Sequence, residues 1–237
     1  MAFSTSSEKI EQEMREQFTH AFHSKRLIYR AIDETSDNDM YLITQALYDP
    51  VSQGLADPGL YQPHSESHAK YSMKGAIANG ALIAVLVCVT GNPEDEKFLA
   101  SPPQETFGRE GTALKEVVSR AIPIGTMMLY KSPKHSTSHV RTARLGAVGI
   151  QEEHRGKGYG KEAIRWLVNW GFRWAGLHRI ELGVISYNTS AIRLYESVGF
   201  KLEGRKRECV FMAGRWFDLL EFGMLEGEWK PEDSKEG

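Results

Sequence analysis

The sequence predicts one mixed α/β sheet with helices packed on its faces. Three observations carry that expectation. Strand-length apolar runs alternate with helically spaced ones from Arg26 to Phe200, a glycine-rich turn joins a strand to a helix at 155–160, and two closing strands flank Ala213-Gly214 as a hairpin. With 237 residues, 41% hydrophobic and 25% charged, the chain has the size and make-up of one full globular domain or two small ones.

Taken in order, Thr5 to His23 has the spacing of an amphipathic helix, for packing on the domain or for holding a partner. Thr5 and Glu8 fit a capping box, and Ile10, Met14, Phe18, Ala21 and Phe22 recur on one face. Arg26 to Ile32 reads as a strand. Asp39 to Tyr48 reads as a helix that stops before Asp49-Pro50, and a further helix is expected over His64–Asn79, ending at Gly80. The unbroken apolar run Ala81–Val89 has the character of a buried strand. Gly91 to Pro123 reads as a long irregular connection with Pro93, Pro102 and Pro103, in which Leu114–Arg120 forms a short helix.

Strands are then expected over Ile124–Tyr130 and Leu145–Ile150. After the glycine turn comes a long helix whose apolar face includes Ile164, Leu167, Val168 and Phe172. Trp166, Trp170 and Trp174 form a second stripe on its flank, open to two readings: core packing or a homodimer contact. Lys201–Met212 and Arg215–Leu225 are the hairpin strands, and the charged end, 230–237, is expected to be disordered.

Composition narrows the function classes. A net charge of −2 lacks the basic excess of a nucleic-acid binder, and no apolar run reaches the roughly 18 residues of a membrane span. MAFSTSSEKIEQEM has no apolar secretory core, so a cytoplasmic location is expected. Cys88 and Cys209 stand alone in apolar surroundings and read as buried thiols of a reducing compartment. No Cys/His spacing suggests zinc, and the His64–His68 pair lacks a third ligand, so no metal is expected.

The chemistry concentrates between Ala143 and Phe200. There an apolar strand runs into HRGKGYG and then a helix, a place where glycines let backbone N–H groups approach an anion beside the positive end of the helix dipole. A P-loop is excluded, because Arg155 stands where its first glycine belongs and Glu162 follows Gly160-Lys161. The dinucleotide fingerprint fails as well, since Gly156, Gly158 and Gly160 place the third glycine one residue early.

Arg155-Gly156-Lys157-Gly158-Tyr159-Gly160 resembles the Q/R-x-x-G-x-G/A signature of the GNAT acetyltransferase superfamily. The resemblance extends to the lead-in Ile150 to Arg155, the strand His178–Leu182, the segment NTSAIRLYESVGF (Asn188 to Phe200), and the terminal hairpin with its Glu-Trp. Within that superfamily it is similar to the ribosomal-protein N-terminal and polyamine acetyltransferase branches. It is strong from about Leu145 to Trp229 and weaker from Arg26 to Pro93, while the 91–123 stretch falls outside the usual pattern.

The resemblance implies a mostly antiparallel, twisted sheet of about seven strands with helices on both faces. It divides the chain into a helical extension (1–25), one acetyltransferase domain (26–229) with an insertion near 91–123, and a tail (230–237). It implies acetyl-CoA as donor without a metal, and a primary amine as acceptor, either a small molecule or a peptide N-terminus. The amine would attack directly while both substrates are bound. The N–H groups of Gly156, Lys157, Gly158, Tyr159 and Gly160 would cradle the pyrophosphate, with Arg155 and Lys157 adding charge. Val148 and Ile150 would pair with the pantetheine arm, and the Ile150 N–H would polarise the thioester carbonyl. Tyr195 matches the general acid, and Asn188 caps its helix and contacts the cofactor. Glu181, a carboxylate in an apolar strand, is the candidate base, unless it only faces solvent or pairs with Arg179 or Arg207; Glu152 and Glu153 on the turn, or a water chain to a distant carboxylate, are the alternatives. Asp49, Asp57 and the Glu94-Asp95-Glu96 cluster would draw in a cationic amine, unless that cluster is only a solvated loop. A non-catalytic acyl-CoA-binding module is the alternative reading.

Overall fold

The computed structural model describes residues 21–48, 65–100, 111–131 and 140–231. Among them seven strands form one sheet in the order β1-β2-β3-β4-β5-β7-β6. The strands are β1 (Leu27–Ala31), β2 (Ala81–Val89), β3 (Ile122–Lys131), β4 (Thr142–Ile150), β5 (Arg179–Ile185), β6 (Lys201–Met212) and β7 (Arg215–Leu225). Every neighbouring pair is antiparallel except β4–β5, which is parallel and is joined by a helical crossover. Six helices lie among the described residues: α1 (Asp37–Tyr48), α2 (Glu66–Gly80), α3 (Pro93–Ala100), α4 (Gly111–Arg120), α5 (Tyr159–Arg173) and α6 (Thr189–Val198).

Period-2 alternation sorts the strand side chains onto two cores. Leu27 and Tyr29 of β1, Val85 and Val87 of β2, and Ile180 and Leu182 of β5 turn to one face, where α5 and α6 cover them. Ile28, Leu86 and Cys88 turn to the other face, against Met40 and Ile43 of α1, Leu99 of α3 and Val117 of α4. A bidentate ion pair ties β1 to α1 on this second face. Both terminal nitrogens of Arg30 donate to the buried Asp39 at 2.7 Å, and the Asp33 N–H adds a third bond at 3.0 Å.

The stretch expected to be irregular at 91–123 carries α3 and α4, with 101–110 outside the described residues. The features that suggested a loop are helix-start signals. Asn92 accepts from the Asp95 N–H at 2.8 Å, Pro93 occupies the first turn where no N–H is needed, and the acids sit at the positive dipole end. The expected N-terminal helix lies outside the described residues up to 20. Its last residues, Ala21–His23, form a turn and an isolated bridge from His23 to Ile28. Trp166 settles into the core, stacked on Tyr29 at 3.7 Å and donating from its indole N–H to the Ala21 carbonyl at 2.9 Å; Trp170 packs against the same core.

Cys88 is buried as expected, but Cys209 is exposed. It lies on the edge strand β6 where the register slips between Lys206 and Val210, and Val210 takes the buried position instead.

Candidate active site

The site is built where β4 and β5 part company. They pair only from Thr142–Arg179 to Arg144–Glu181, after which β5 continues against β7 while β4 continues against β3. The six residues from Leu145 to Ile150 therefore present an edge unpaired by β5, about 20 Å long at the rise of an extended strand. The Gln151 N–H donates to the Ile124 carbonyl on β3 at 2.8 Å. Because successive peptide groups alternate, the Ile150 and Val148 groups turn the other way, into the gap. At its mouth the Nε of Arg155 donates to the Ile150 carbonyl at 2.8 Å.

A bulge sharpens the divergence. Thr126 pairs with Gly149 but Met128 pairs with Gly146, so β4 carries one residue more than β3, and Ala147 absorbs it at φ 49°. The Thr126 hydroxyl holds the Ala147 carbonyl at 3.1 Å. Gly125 is required opposite: a Cβ there would fall on the Gly149 carbonyl oxygen.

Beyond β4 the chain makes a short 3-10 turn, Glu152–His154, and then the exposed glycine turn into α5. Gly156 and Gly158 have φ of 76° and 83°, which a side chain would resist, and Gly158 caps α5 with no side chain of its own to satisfy the helix. The first bond of α5 runs from the Glu162 N–H to the Gly158 carbonyl at 3.2 Å, so the N–H groups of Tyr159, Gly160 and Lys161 precede the helical ladder. Those donors and the dipole favour negative charge at this helix start. Gly160 brings the parts together, since a methyl there would lie 3.5 Å from Leu194 of α6 and 3.9 Å from Ile150 of β4.

Tyr195 follows Leu194 on α6. Its ring packs edge-on to Phe200, with centroids 6.0 Å apart at 75°, and burial pushes its phenol up to about 12. Asn188 caps α6, its side-chain oxygen accepting the Ala191 N–H at 3.2 Å, while Gly199 closes the helix in the left-handed conformation.

Glu181 lies at the vertex of the gap, on the face of β5 opposite α5. Its carboxylate pairs with Arg144 at 4.0 Å and Arg179 at 3.8 Å, and Arg179 continues to Glu203. The acidic cluster is divided: Asp95 is buried against Arg120 at 2.9 Å and Asn92 at 3.0 Å, leaving Glu94 and Glu96 exposed. Asp95 is thus committed to α4 and not offered to an amine. Asp49, Asp57 and His64 lie outside the described residues, and His68 is exposed on α2. Among the described residues no cluster of three or more metal-type ligands occurs, and no helix is long and apolar enough to cross a membrane.

Three features escaped the sequence reading: the bulge at Ala147, the extension of the Glu181–Arg179 pair to Arg144 and Glu203, and the bonding of Ser24 and Arg26 to Glu162 at the start of α5. Only the last had a local signal, an acid in the first turn of a helix.

The fold is thus a seven-stranded, mostly antiparallel sheet that opens between two parallel central strands beside a glycine-rich helix start. The model of the Acetyltransferase (GNAT) family matches residues 87–200 of the chain. It is similar to a probable N-acetyltransferase, YjcK, of Bacillus subtilis, with 37% identity over 112 residues, covering 47% of this chain and 58% of the relative. It is also 35% identical over 80 residues to the spermidine N(1)-acetyltransferase of Vibrio cholerae, covering 34% of this chain and 46% of the relative. The chain spans about half the length of the curated relatives it matches. In fold it resembles a crystal structure of the spermidine N-acetyltransferase from Vibrio cholerae in complex with CoA and spermine. That likeness has a TM-score of 0.62 at 20% identity and covers 86% of this chain and 98% of that one.

Proposed function

We propose that the protein is an acetyl-CoA-dependent N-acetyltransferase, its working unit spanning 26–229, which acetylates a primary amine by direct attack while donor and acceptor are both bound. The observation that carries this reading is the open β4 edge, with Ile150 at one end of the gap, the phosphate-type turn next to it and Tyr195 one residue from the packing contact at Gly160. The named relatives, among them a spermidine acetyltransferase and a putative ribosomal N-acetyltransferase, support acetyl transfer to an amine, and the CoA bound in the similar Vibrio cholerae structure supports the donor.

Acetyl-CoA supplies an activated thioester and a pyrophosphate handle. The N–H groups from Gly156 to Gly160 would hold the pyrophosphate, with the exposed Arg155 and Lys157 at the rim. Val148 and Ile150 would pair with the amide-bearing arm as an added strand would, which fixes the carbonyl in line with the acceptor. The Ile150 N–H then faces the carbonyl oxygen as negative charge develops there. The Tyr195 hydroxyl would donate a hydrogen bond to the departing sulfur and so stabilise it as the thioester bond breaks. Asn188 positions Tyr195 by capping its helix and extends toward the bound arm.

The acceptor would come from the opposite face, where α1 and α2 pack on β3 and β2 and where Glu181 lies. A primary alkyl ammonium must lose a proton before attack, and Glu181 is our base, acting directly or through water. The test is thiol release from acetyl-CoA across polyamines, aminoglycosides, aryl amines, amino acids and peptides with free N-termini. Release stimulated by one acceptor class is the expected result. Tight acetyl-CoA binding without stimulation by any acceptor would overturn the catalytic reading, and failure to bind acetyl-CoA would overturn the donor as well.

A further inference from the structure

Glu162, in the first turn of α5, carries a side chain only 16% exposed, yet it does not touch the proposed donor seat. Its Oε1 accepts from the Ser24 hydroxyl and the Arg26 backbone N–H, both at 2.8 Å, and its Oε2 accepts from Arg26 Nε at 2.7 Å. One nitrogen further along the same guanidinium, Nη1 donates to the Lys157 carbonyl at 3.0 Å. The guanidinium carbon sits 4.8 Å from the Tyr159 ring centroid, which limits its freedom on that side. The segment is anchored again one helical turn on, where Trp166 stacks on Tyr29, and the Tyr29 hydroxyl bonds to Ser24 at 2.8 Å.

The Lys157 carbonyl and the Gly158 N–H belong to one planar trans peptide, so they point in opposite directions. A guanidinium that holds the carbonyl on the β1 side turns the Gly158 N–H outward, to the side where an anion would lie. Gly158, at φ 83°, can flip at little steric cost, so an external fastener is needed to hold one orientation. We propose that Arg26, itself braced by Glu162, is a positioning residue that sets the Lys157–Gly158 peptide for pyrophosphate binding. The lead-in to the first strand thereby becomes part of the donor site's support. This rests on the acetyl-CoA reading above.

Charge and position predict opposite signs for one variant, which separates them. Glu162→Gln removes a negative charge near a bound pyrophosphate, so electrostatics alone would tighten CoA binding. The bracing role instead predicts weakening, about tenfold for the removal of a charge-assisted hydrogen bond that acts through Arg26. CoA affinity would be measured by calorimetry on wild type, Glu162→Gln and Arg26→Lys, with thermal unfolding alongside to establish that each is folded. Arg26→Lys keeps the charge but lacks the fork that holds Glu162 and Lys157 together, and is expected to bind CoA about fivefold more weakly. Equal or tighter binding by Glu162→Gln, or equal binding by Arg26→Lys should the first variant not fold, overturns the proposal. Failure of wild type to bind CoA would instead overturn the donor reading on which it stands.

Discussion

Replacing Tyr195 by Phe is the sharpest probe of the chemistry, because the structure separates what the ring does from what the hydroxyl does. The ring packs against Phe200, and Phe preserves that contact, so stability near neutral pH should change little. The hydroxyl is a different matter. Burial pushes the phenol up to about 12, so it is fully protonated at any ordinary assay pH and available as a donor. A thiol leaving group has a pKa of about 8.5, so full proton transfer to a free thiolate would run uphill by about 3.5 units, roughly 5 kcal/mol. In the proposed role, Tyr195 would therefore act mainly by hydrogen bonding to the sulfur as the bond breaks.

Loss of one such preorganised donor is expected to lower kcat by about 10² to 10³, or roughly 3–4 kcal/mol at 1.36 kcal/mol per tenfold. The assay is steady-state thiol release with the best acceptor, paired with calorimetric CoA affinity, which should stay within about twofold. Retention of kcat within threefold, or a parallel loss of CoA binding, would refute the role. The linkage sign supplies a second check. A phenol raised from 10 to about 12 favours the folded state below pH 10, and that contribution is lost as pH rises from about 10 to 12. Tyr195→Phe should lack this part of the alkaline loss of stability.

Glu181→Gln is expected to reduce kcat about 10²-fold with CoA affinity unchanged; equal kcat in a pH-rate comparison would remove Glu181 as the base. Gly125→Ala should cost about 1–3 kcal/mol and weaken CoA binding, because its Cβ would meet the Gly149 carbonyl across the bulge; calorimetry and thermal unfolding report both. Asp39→Ala should destabilise by about 2–4 kcal/mol in urea unfolding, because it leaves Arg30 and the Asp33 N–H without their buried acceptor. Burial alone would raise the Asp39 carboxyl, but the Arg30 and Asp33 bonds hold it below its ordinary value. Its contribution is thus present above about pH 4 and lost as pH falls, so the gap between wild type and variant should narrow in acid.

The strands were largely legible because their patterns are local. Ala81–Val89 and both hairpin strands match the structure residue for residue, since an unbroken apolar run and Ala213-Gly214 as a turn leave few alternatives. The glycine turn was equally readable, because the conformations at Gly156 and Gly158 are ones that other residues avoid. Sequence found the helix at Leu114–Arg120, which lies within α4, but misjudged Pro93–Ala100, where Pro93 and three acids start a helix yet look like a loop out of context, and Cys209, whose exposure follows from a register slip on an edge strand.

What the sequence by itself determined was the order of the strands, the glycine-rich start of α5 and the identity of residues that a family resemblance could mark. Only the tertiary structure decided how the parts meet. It set the point after Arg144 where β4 leaves β5, the positive φ of Ala147, the ion pairing of Glu181, and the reach of Arg26 to a carbonyl 131 positions away. Each of these depends on register between distant strands or on a long-range hydrogen bond, and no local propensity encodes which of several registers packs both cores at once.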